Sequence, residues 1–165
     1  MNMLFQVIAA AIGVIAFAVL FRAPRKYYLD CGIAGGIGWL IYLLVIGEGF
    51  SSMVASLVAT LVLTILSRIL AVIRRAPVTI FLITSIFTLV PGAGIYYTAY
   101  YLMIDDLAMA ALKGVETLKV AGAISLGILL GMGIPQGAFR QIKRLHVYLM
   151  DCLKGNLKNK KKVIK

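Results

Sequence analysis

The segment Leu89-Val90-Pro91-Gly92-Ala93-Gly94-Ile95 holds the residue types in this chain best suited to chemistry. Proline lacks a backbone donor, and two glycines close behind it weaken a helix. With apolar residues on either side, the segment predicts a helix interrupted at Pro91–Gly94 near mid-membrane and resuming from Ile95. Unwound backbone at that depth persists only against protein or a wet cavity. The resumed helix would aim its free N–H groups and positive dipole end into such a cavity, a site suited to a carboxylate. Pro91, Gly92 and Gly94 are therefore candidates for a substrate path. The plainer alternative is a tolerated kink, since Pro and Gly are common in membrane helices. Tyr96 and Tyr97, one turn on, could hydrogen-bond a substrate. Together with Tyr100 and Tyr101 they form two i,i+4 pairs, and the upper pair suits the membrane interface.

A second pattern lies upstream. Ser52, Ser56, Thr60, Thr64 and Arg68 are spaced by four, and each step rotates about 40° on an ideal helix, which makes a slowly winding polar stripe. Ser56, Thr60, Thr64 and Arg68 could line a substrate route. The hydroxyls could equally bond back to the preceding turn and pack helices together. Arg68 could snorkel toward Arg74 and Arg75, or pair with an anion inside the bundle. The stretch 107–119 reads in two ways. As an outer loop, it leaves Lys113, Glu116 and Lys119 solvated. As the start of a long last helix, it puts Glu116 on one face with Val120, Ala123, Gly127 and Gly131, where Glu116 could take a proton during coupling. Small residues let helices approach closely, so Gly32 with Gly36, and Ala123 with Gly127 and Gly131, are candidate packing positions. Gly133 and Gly137 offer another pair.

These features need elements to position them, and composition dictates which. The chain has 165 residues, 62% hydrophobic and 14% charged, with four or five apolar stretches. A span needs about 20 apolar residues to cross a core of roughly 30 Å. The expectation is an all-α integral membrane protein, with a transmembrane domain over 1–139 and a basic tail over 140–165. Spans are expected at about 4–21, 28–46, 51–73, 78–104 (broken at 91–94) and from 107 or 120 to 139. The alternative is four spans plus a re-entrant or broken helix. The N-terminus has no basic n-region, and its positive flank (Arg22, Arg25, Lys26) follows the first apolar run, so that run reads as a retained span.

Nine of the 17 Lys and Arg lie from Arg140 to Lys165, and most of the others cluster between spans, for a net charge of +11. This distribution follows the positive-inside rule and argues against a nucleic-acid partner. Basic clusters after spans one and three and after the last span put the N-terminus outside and the C-terminus inside. The tail, with Asn159-Lys160-Lys161-Lys162, suits anionic lipids of the inner leaflet. Cys31 and Cys152 would both face the reducing side, which makes a disulfide unexpected. One histidine, His146, and no clustered Cys or Asp give no metal-ligand set, and no cofactor is expected. The lack of paired carboxylates at catalytic spacing and of a Ser/His/Asp set speaks against an enzyme.

Taken in order, Ala23-Pro24, Ala55-Ser56, Ser67-Arg68, Leu89-Val90-Pro91-Gly92 followed by Tyr96 or Tyr97, and Gly133-Ile134-Pro135 resemble the small, membrane-only subunit of the threonine/serine exporter family. The likeness runs to about residue 140 and omits the Lys-rich tail. It implies a five-span half that associates with a larger membrane subunit in the bacterial inner membrane. It further implies proton-coupled export of small carboxylate-bearing metabolites such as threonine and serine. Dicarboxylates such as succinate are an alternative substrate class, and a non-transporting scaffold is an alternative role. An odd number of spans with no internal repeat also suits half of a transporter better than a whole one.

Overall fold

The computed structural model describes residues 2–135, which form six helices and one 3-10 turn. The basic tail 140–165, with His146, Cys152 and the lipid contact expected there, lies outside the described residues, as do Gly137 and the last span beyond Pro135. The helices are α1 (Met3–Leu20), α2 (Tyr28–Gly47), α3 (Ser52–Arg74), α4 (Val78–Ile86), α5 (Gly92–Met103) and α6 (Leu107–Gly133), with the 3-10 turn at Arg25–Tyr27 between α1 and α2. No strand occurs among the described residues.

Helix ends inside or near a bilayer must satisfy their own backbone groups. Four of them do so in the same way. Ala23 N–H bonds Ala18 O, Phe50 bonds Val45, Ala76 bonds Ala71 and Asp106 bonds Tyr101, each closing a loop back over the final turn. The residue just before each donor is left-handed: Arg22 (φ 52°), Gly49 (φ 85°), Arg75 (φ 53°) and Asp105 (φ 58°). This is the Schellman arrangement, with glycine at one of its four sites and longer side chains at the other three. At the start of α6 the Asp106 carboxylate accepts from Met109 N–H at 3.1 Å.

Packing follows the small residues. α1 and α2 are antiparallel, with Gly32 against Ile15 and Ala11, Gly35 against Val14, and Gly36 against Ala11 and Val7. Gly38 lets Leu63 of α3 approach α2. α4 follows the direction of α2: the Tyr27 and Phe81 rings meet edge-on at 5.3 Å. Further along the same pair, Ser85 Oγ donates to Cys31 O at 3.2 Å. α3 is therefore central, flanked by α2, α4 and α6.

α6 runs in the same direction as α3, because Gly127 lies on Leu57 and Thr60, and Gly131 lies on Thr64. Only the second half of α6 makes this contact. Its first half pairs antiparallel with α5, through Gly94 on Thr117 and Gly114 on Thr98. α5 has no buried residue and packs chiefly on α6. The chain thus has a bundle, α1–α4 with the end of α6, and a hairpin, α5 with the start of α6.

Among the described residues, four segments are long and apolar enough to cross a membrane: Met3–Leu20, Arg25–Gly47, Ser52–Arg74 and Leu107–Gly133. The element expected over 78–104 is not among them. It consists of α4 with 9 residues and α5 with 12, about 14 and 18 Å at 1.5 Å per residue. The interruption also falls earlier than expected. Helix stops at Ile86 and restarts at Gly92, so the break is 87–91 and Gly92 to Gly94 are already helical. The physical reason lies in Pro91. With φ −77° and ψ 58° it sits at the centre of an inverse γ-turn, closed by Gly92 N–H to Val90 O at 2.7 Å. Its missing N–H is no loss at a helix start, so α5 begins directly after it. The stretch 107–119 is helical throughout, which removes the loop alternative.

Candidate functional site

The break is held from two sides. The Phe87 ring stacks on Phe17 of α1 at 4.5 Å and lies 5.3 Å from Phe21. Leu89 is buried with Ala59 of α3 and with Val120 and Ile124 of α6, with Trp39, Ile41 and Tyr42 of α2 packed around them. These anchors hold the non-helical backbone against protein at Leu89, with Phe87, Thr88 and Pro91 half-buried and Val90 exposed; backing by protein is the condition under which such backbone is tolerated in a membrane. A groove of about 320 Å3 opens beside the break, lined by Phe5, Gln6, Ala9, Ala10, Trp39 and Thr88. Its walls are almost wholly apolar, and the Thr88 hydroxyl donates to Ser85 O at 2.9 Å.

Past the break the chain turns outward. Pro91 is half-buried, and Gly92 and Ala93 are exposed on the outside of this chain. A side chain at Gly92 would meet nothing within 4 Å, whereas one at Gly94 would run into Thr117 of α6. Ile95 N–H bonds Pro91 O at 3.1 Å and starts the helical ladder. The amides of Ala93 and Gly94 belong to the first turn, which has no acceptor one turn earlier. Tyr96, Tyr97 and Tyr100 are exposed. Their rings form a ladder: Tyr96 stacks with Tyr100 at 6.4 Å and meets Tyr97 edge-on at 5.4 Å.

The polar stripe lies elsewhere, in the seam between α3 and α6. Ser56, Thr60 and Thr64 are essentially fully buried. Thr64 Oγ1 donates to Thr60 O at 2.8 Å. The Thr60 hydroxyl, against Gly127, and the Ser67 hydroxyl are buried and make no hydrogen bond among the described residues. Arg68 is 7% exposed and donates from Nη1 to Gly131 O (2.8 Å) and Met132 O (3.1 Å). It therefore holds a positive charge over the carbonyls that end α6, where the helix dipole is negative. Pro91, Gly92, Gly94, Tyr96 and Tyr97 thus gather in the hairpin, and Ser56, Thr60, Thr64 and Arg68 gather in the seam.

Gly32 and Gly36 lie in the α1–α2 contact, and Ala123, Gly127 and Gly131 are buried on α6 toward α3. Glu116 begins the same α6 face but is exposed; the glycine contacts with α3 lie further along α6, with Gly127 on Leu57 and Thr60. It pairs with Lys113 at 3.1 Å. No group of three or more His, Cys, Asp or Glu able to hold a metal occurs among the described residues. Sequence reasoning missed an ion pair: Asp30 in the first turn of α2 accepts from Arg74 Nη2 at 2.6 Å. A lone acid in the apolar run 28–46 was the available signal.

An all-helical chain of glycine-seamed spans, with one helix broken at proline, fits a membrane transporter. The sequence profile of the threonine/serine exporter family, ThrE, matches residues 6–134. The chain belongs to that family. No curated protein and no solved structure matches it at a significant level. The matched range takes in α1 through α6, so the interrupted element and the α3–α6 seam are both parts of the exporter domain. This exporter-family chain is a multi-pass membrane protein.

Proposed function

We propose that this chain is the small membrane subunit of a two-component, proton-coupled secondary exporter in the bacterial inner membrane. It would move small carboxylate-bearing amino acids, threonine and serine, together with a larger membrane subunit of the same family. Family membership supports the substrate class. The observation that carries the two-component reading is the hairpin. α5 and the first half of α6 pair with each other and leave Tyr96, Tyr97, Tyr100, Leu112, Val115 and Leu118 exposed. A site that begins at Gly92 and Ala93, on the outside of this chain, is closed by another chain.

The direction of the helices supports five crossings. α3 and α6 run the same way, so α4 and α5 together must return the chain to the side from which α3 starts. Charge supports the orientation: Arg22, Arg25 and Lys26 follow α1, and Arg74 and Arg75 end α3, while Glu48 lies after α2 and Asp105 and Asp106 after α5. The N-terminus is then outside and the tail inside. In the transport cycle the first turn of α5 holds the substrate carboxylate through its amides and dipole, and Tyr96 or Tyr97 hydrogen-bonds it. The buried, unpartnered Thr60 hydroxyl favours a route along the seam that is wetted when α6 moves against α3.

The test is efflux of labelled threonine and serine, with succinate in parallel, from cells carrying this chain alone, the larger subunit alone, or both. Efflux only with both is expected. Full efflux from this chain alone contradicts the two-component reading, and efflux of succinate alone moves the substrate class to dicarboxylates.

A further inference from the structure

Asp30 is the one buried carboxylate among the described residues: Glu48, Asp105 and Glu116 are exposed and Asp106 is half-exposed. It lies in a span flanked by Arg25 and Lys26, and its two oxygens are treated differently. Oδ1 accepts from Arg74 at 2.6 Å, whereas Oδ2 is buried and accepts no hydrogen bond. The pair is also lopsided in exposure, with side-chain values of 11% for Asp30 and 49% for Arg74. A buried ion pair stabilises a fold only when the remaining lone pairs are satisfied, and here half of the carboxylate is not. Ionisable groups inside a membrane domain are rare and mark substrate, ion or proton pathways.

We propose that Asp30 is the proton-carrying group of this exporter, with Oδ2 as the atom that takes the proton; this rests on the proton-coupled reading above. Protonation at Oδ2 leaves a neutral acid whose hold on Arg74 is weak. Arg74 can then turn into water without a burial penalty, because half of it is already there. Loss of the proton restores the pair and clamps the end of α3 to the start of α2. The surroundings leave few competitors for this role. α1 and α4, which pack on α2, carry no ionisable side chain. α3 carries Arg68 and Arg74, and Arg68 is engaged on the end of α6. The adjoining groups are the Cys31 thiol on α2, which donates to Ile80 O at 3.8 Å, and Tyr27 with Lys26 over its ring at 4.7 Å. The clamp also bears on the break. Cys31, next to Asp30, accepts from Ser85 of α4, two residues before Phe87.

The experiment compares two modes in vesicles containing this chain with its larger subunit: threonine transport driven by a pH gradient, and threonine–threonine exchange without one. Asp30→Asn keeps an acceptor for Arg74 and places an N–H group where the protonated oxygen would be. Driven transport is expected to fall about tenfold or more, the scale of a coupling free energy, with exchange held within about twofold. The pH dependence of the wild-type rate should flatten in the variant. Driven transport that survives in Asp30→Asn overturns the proposal. If the variant loses both modes, the swapped pair Asp30→Arg with Arg74→Asp decides. Recovery of exchange alone supports the proposal. Recovery of both modes makes the pair a structural clamp, recovery of neither shows that an ion pair between these positions is not what the variant lost, and either result overturns the proposal. Wild-type vesicles with no response to the pH gradient refute the proton-coupled reading itself, a separate result.

Discussion

The bundle and the hairpin use the same alphabet to opposite ends. In the bundle, α2 and the end of α6 put glycine where another helix must come close, and the partner side chain is present: Val14 for Gly35, Leu63 for Gly38, Thr60 for Gly127. In the hairpin, Gly94 and Gly114 serve the contact between α5 and α6, but Gly92 has nothing within 4 Å and large apolar side chains point away from the chain. Lipid covers exposed Leu and Ile well, so exposure alone does not distinguish the regions; α1 also exposes Leu4, Phe5, Ile8 and Ile12. What separates them is polar content. α1 presents an almost wholly apolar surface, while the hairpin presents tyrosines, the Lys113–Glu116 pair and a helix start where Ala93 and Gly94 have no acceptor one turn earlier. Such groups inside a membrane need protein or water around them. On the proposed reading, the bundle is a finished piece and the hairpin is half of an interface.

That contrast can be broken most forcefully at Gly127. Its added Cβ would lie 2.9 Å from Thr60 Cβ and 3.0 Å from Leu57 O, so Gly127→Leu should cost about 3 kcal/mol through overpacking. Gly122→Leu, one and a half turns earlier on the same helix with nothing within 4 Å, should stay within about 0.5 kcal/mol. Unfolding of the purified chain in mixed detergent micelles measures both, and equal losses would erase the distinction between a packed and an open face. Next in size is Arg68→Met, which removes a charged donor from two carbonyls at the end of α6. A loss of about 2 kcal/mol is expected, with Arg68→Lys recovering part of it; an unchanged unfolding midpoint would show that α6 ends without this cap. The smallest effect on the fold belongs to the hairpin. Tyr96→Ala with Tyr100→Ala should shift unfolding of the isolated chain by only about 0.5 kcal/mol. It should nevertheless weaken retention of the larger subunit in pull-downs about tenfold, equivalent to about 1.4 kcal/mol. A large stability loss with retention intact would reverse the roles assigned to the two regions.

Much of the bundle is legible in the sequence, because the spans are long apolar runs bounded by Arg22, Arg74 and similar stops. The small residues Gly32, Gly36, Gly127 and Gly131 also stand out at helical spacing. The break was visible in Pro91 but misplaced by several residues. Its glycines suggested unwinding at 92–94, whereas proline begins a helix as readily as it ends one, and the anchors at Phe87 and Leu89 exert their hold only in three dimensions. The helical state of 107–119 was open because Lys113, Glu116 and Lys119 suit a loop or a helix equally. The deciding signal is Asp106 as the residue that caps Met109, which a pair of adjacent aspartates disguises as a turn. What Arg68 and Asp30 bind is beyond reach for another reason. Their partners lie 63 and 44 positions away, and finding them requires knowing that α3 runs parallel to α6 and antiparallel to α2.

The most direct test of the account places a photo-crosslinking residue at Tyr97, 48% exposed in the hairpin, and in a separate protein at Ile12, 62% exposed on the bundle. Illumination of membranes containing both subunits should join position 97 to the larger subunit and leave position 12 joined to lipid. Capture of the larger subunit at position 12, or lipid alone at position 97, would contradict the claim that the hairpin is the face completed by another chain.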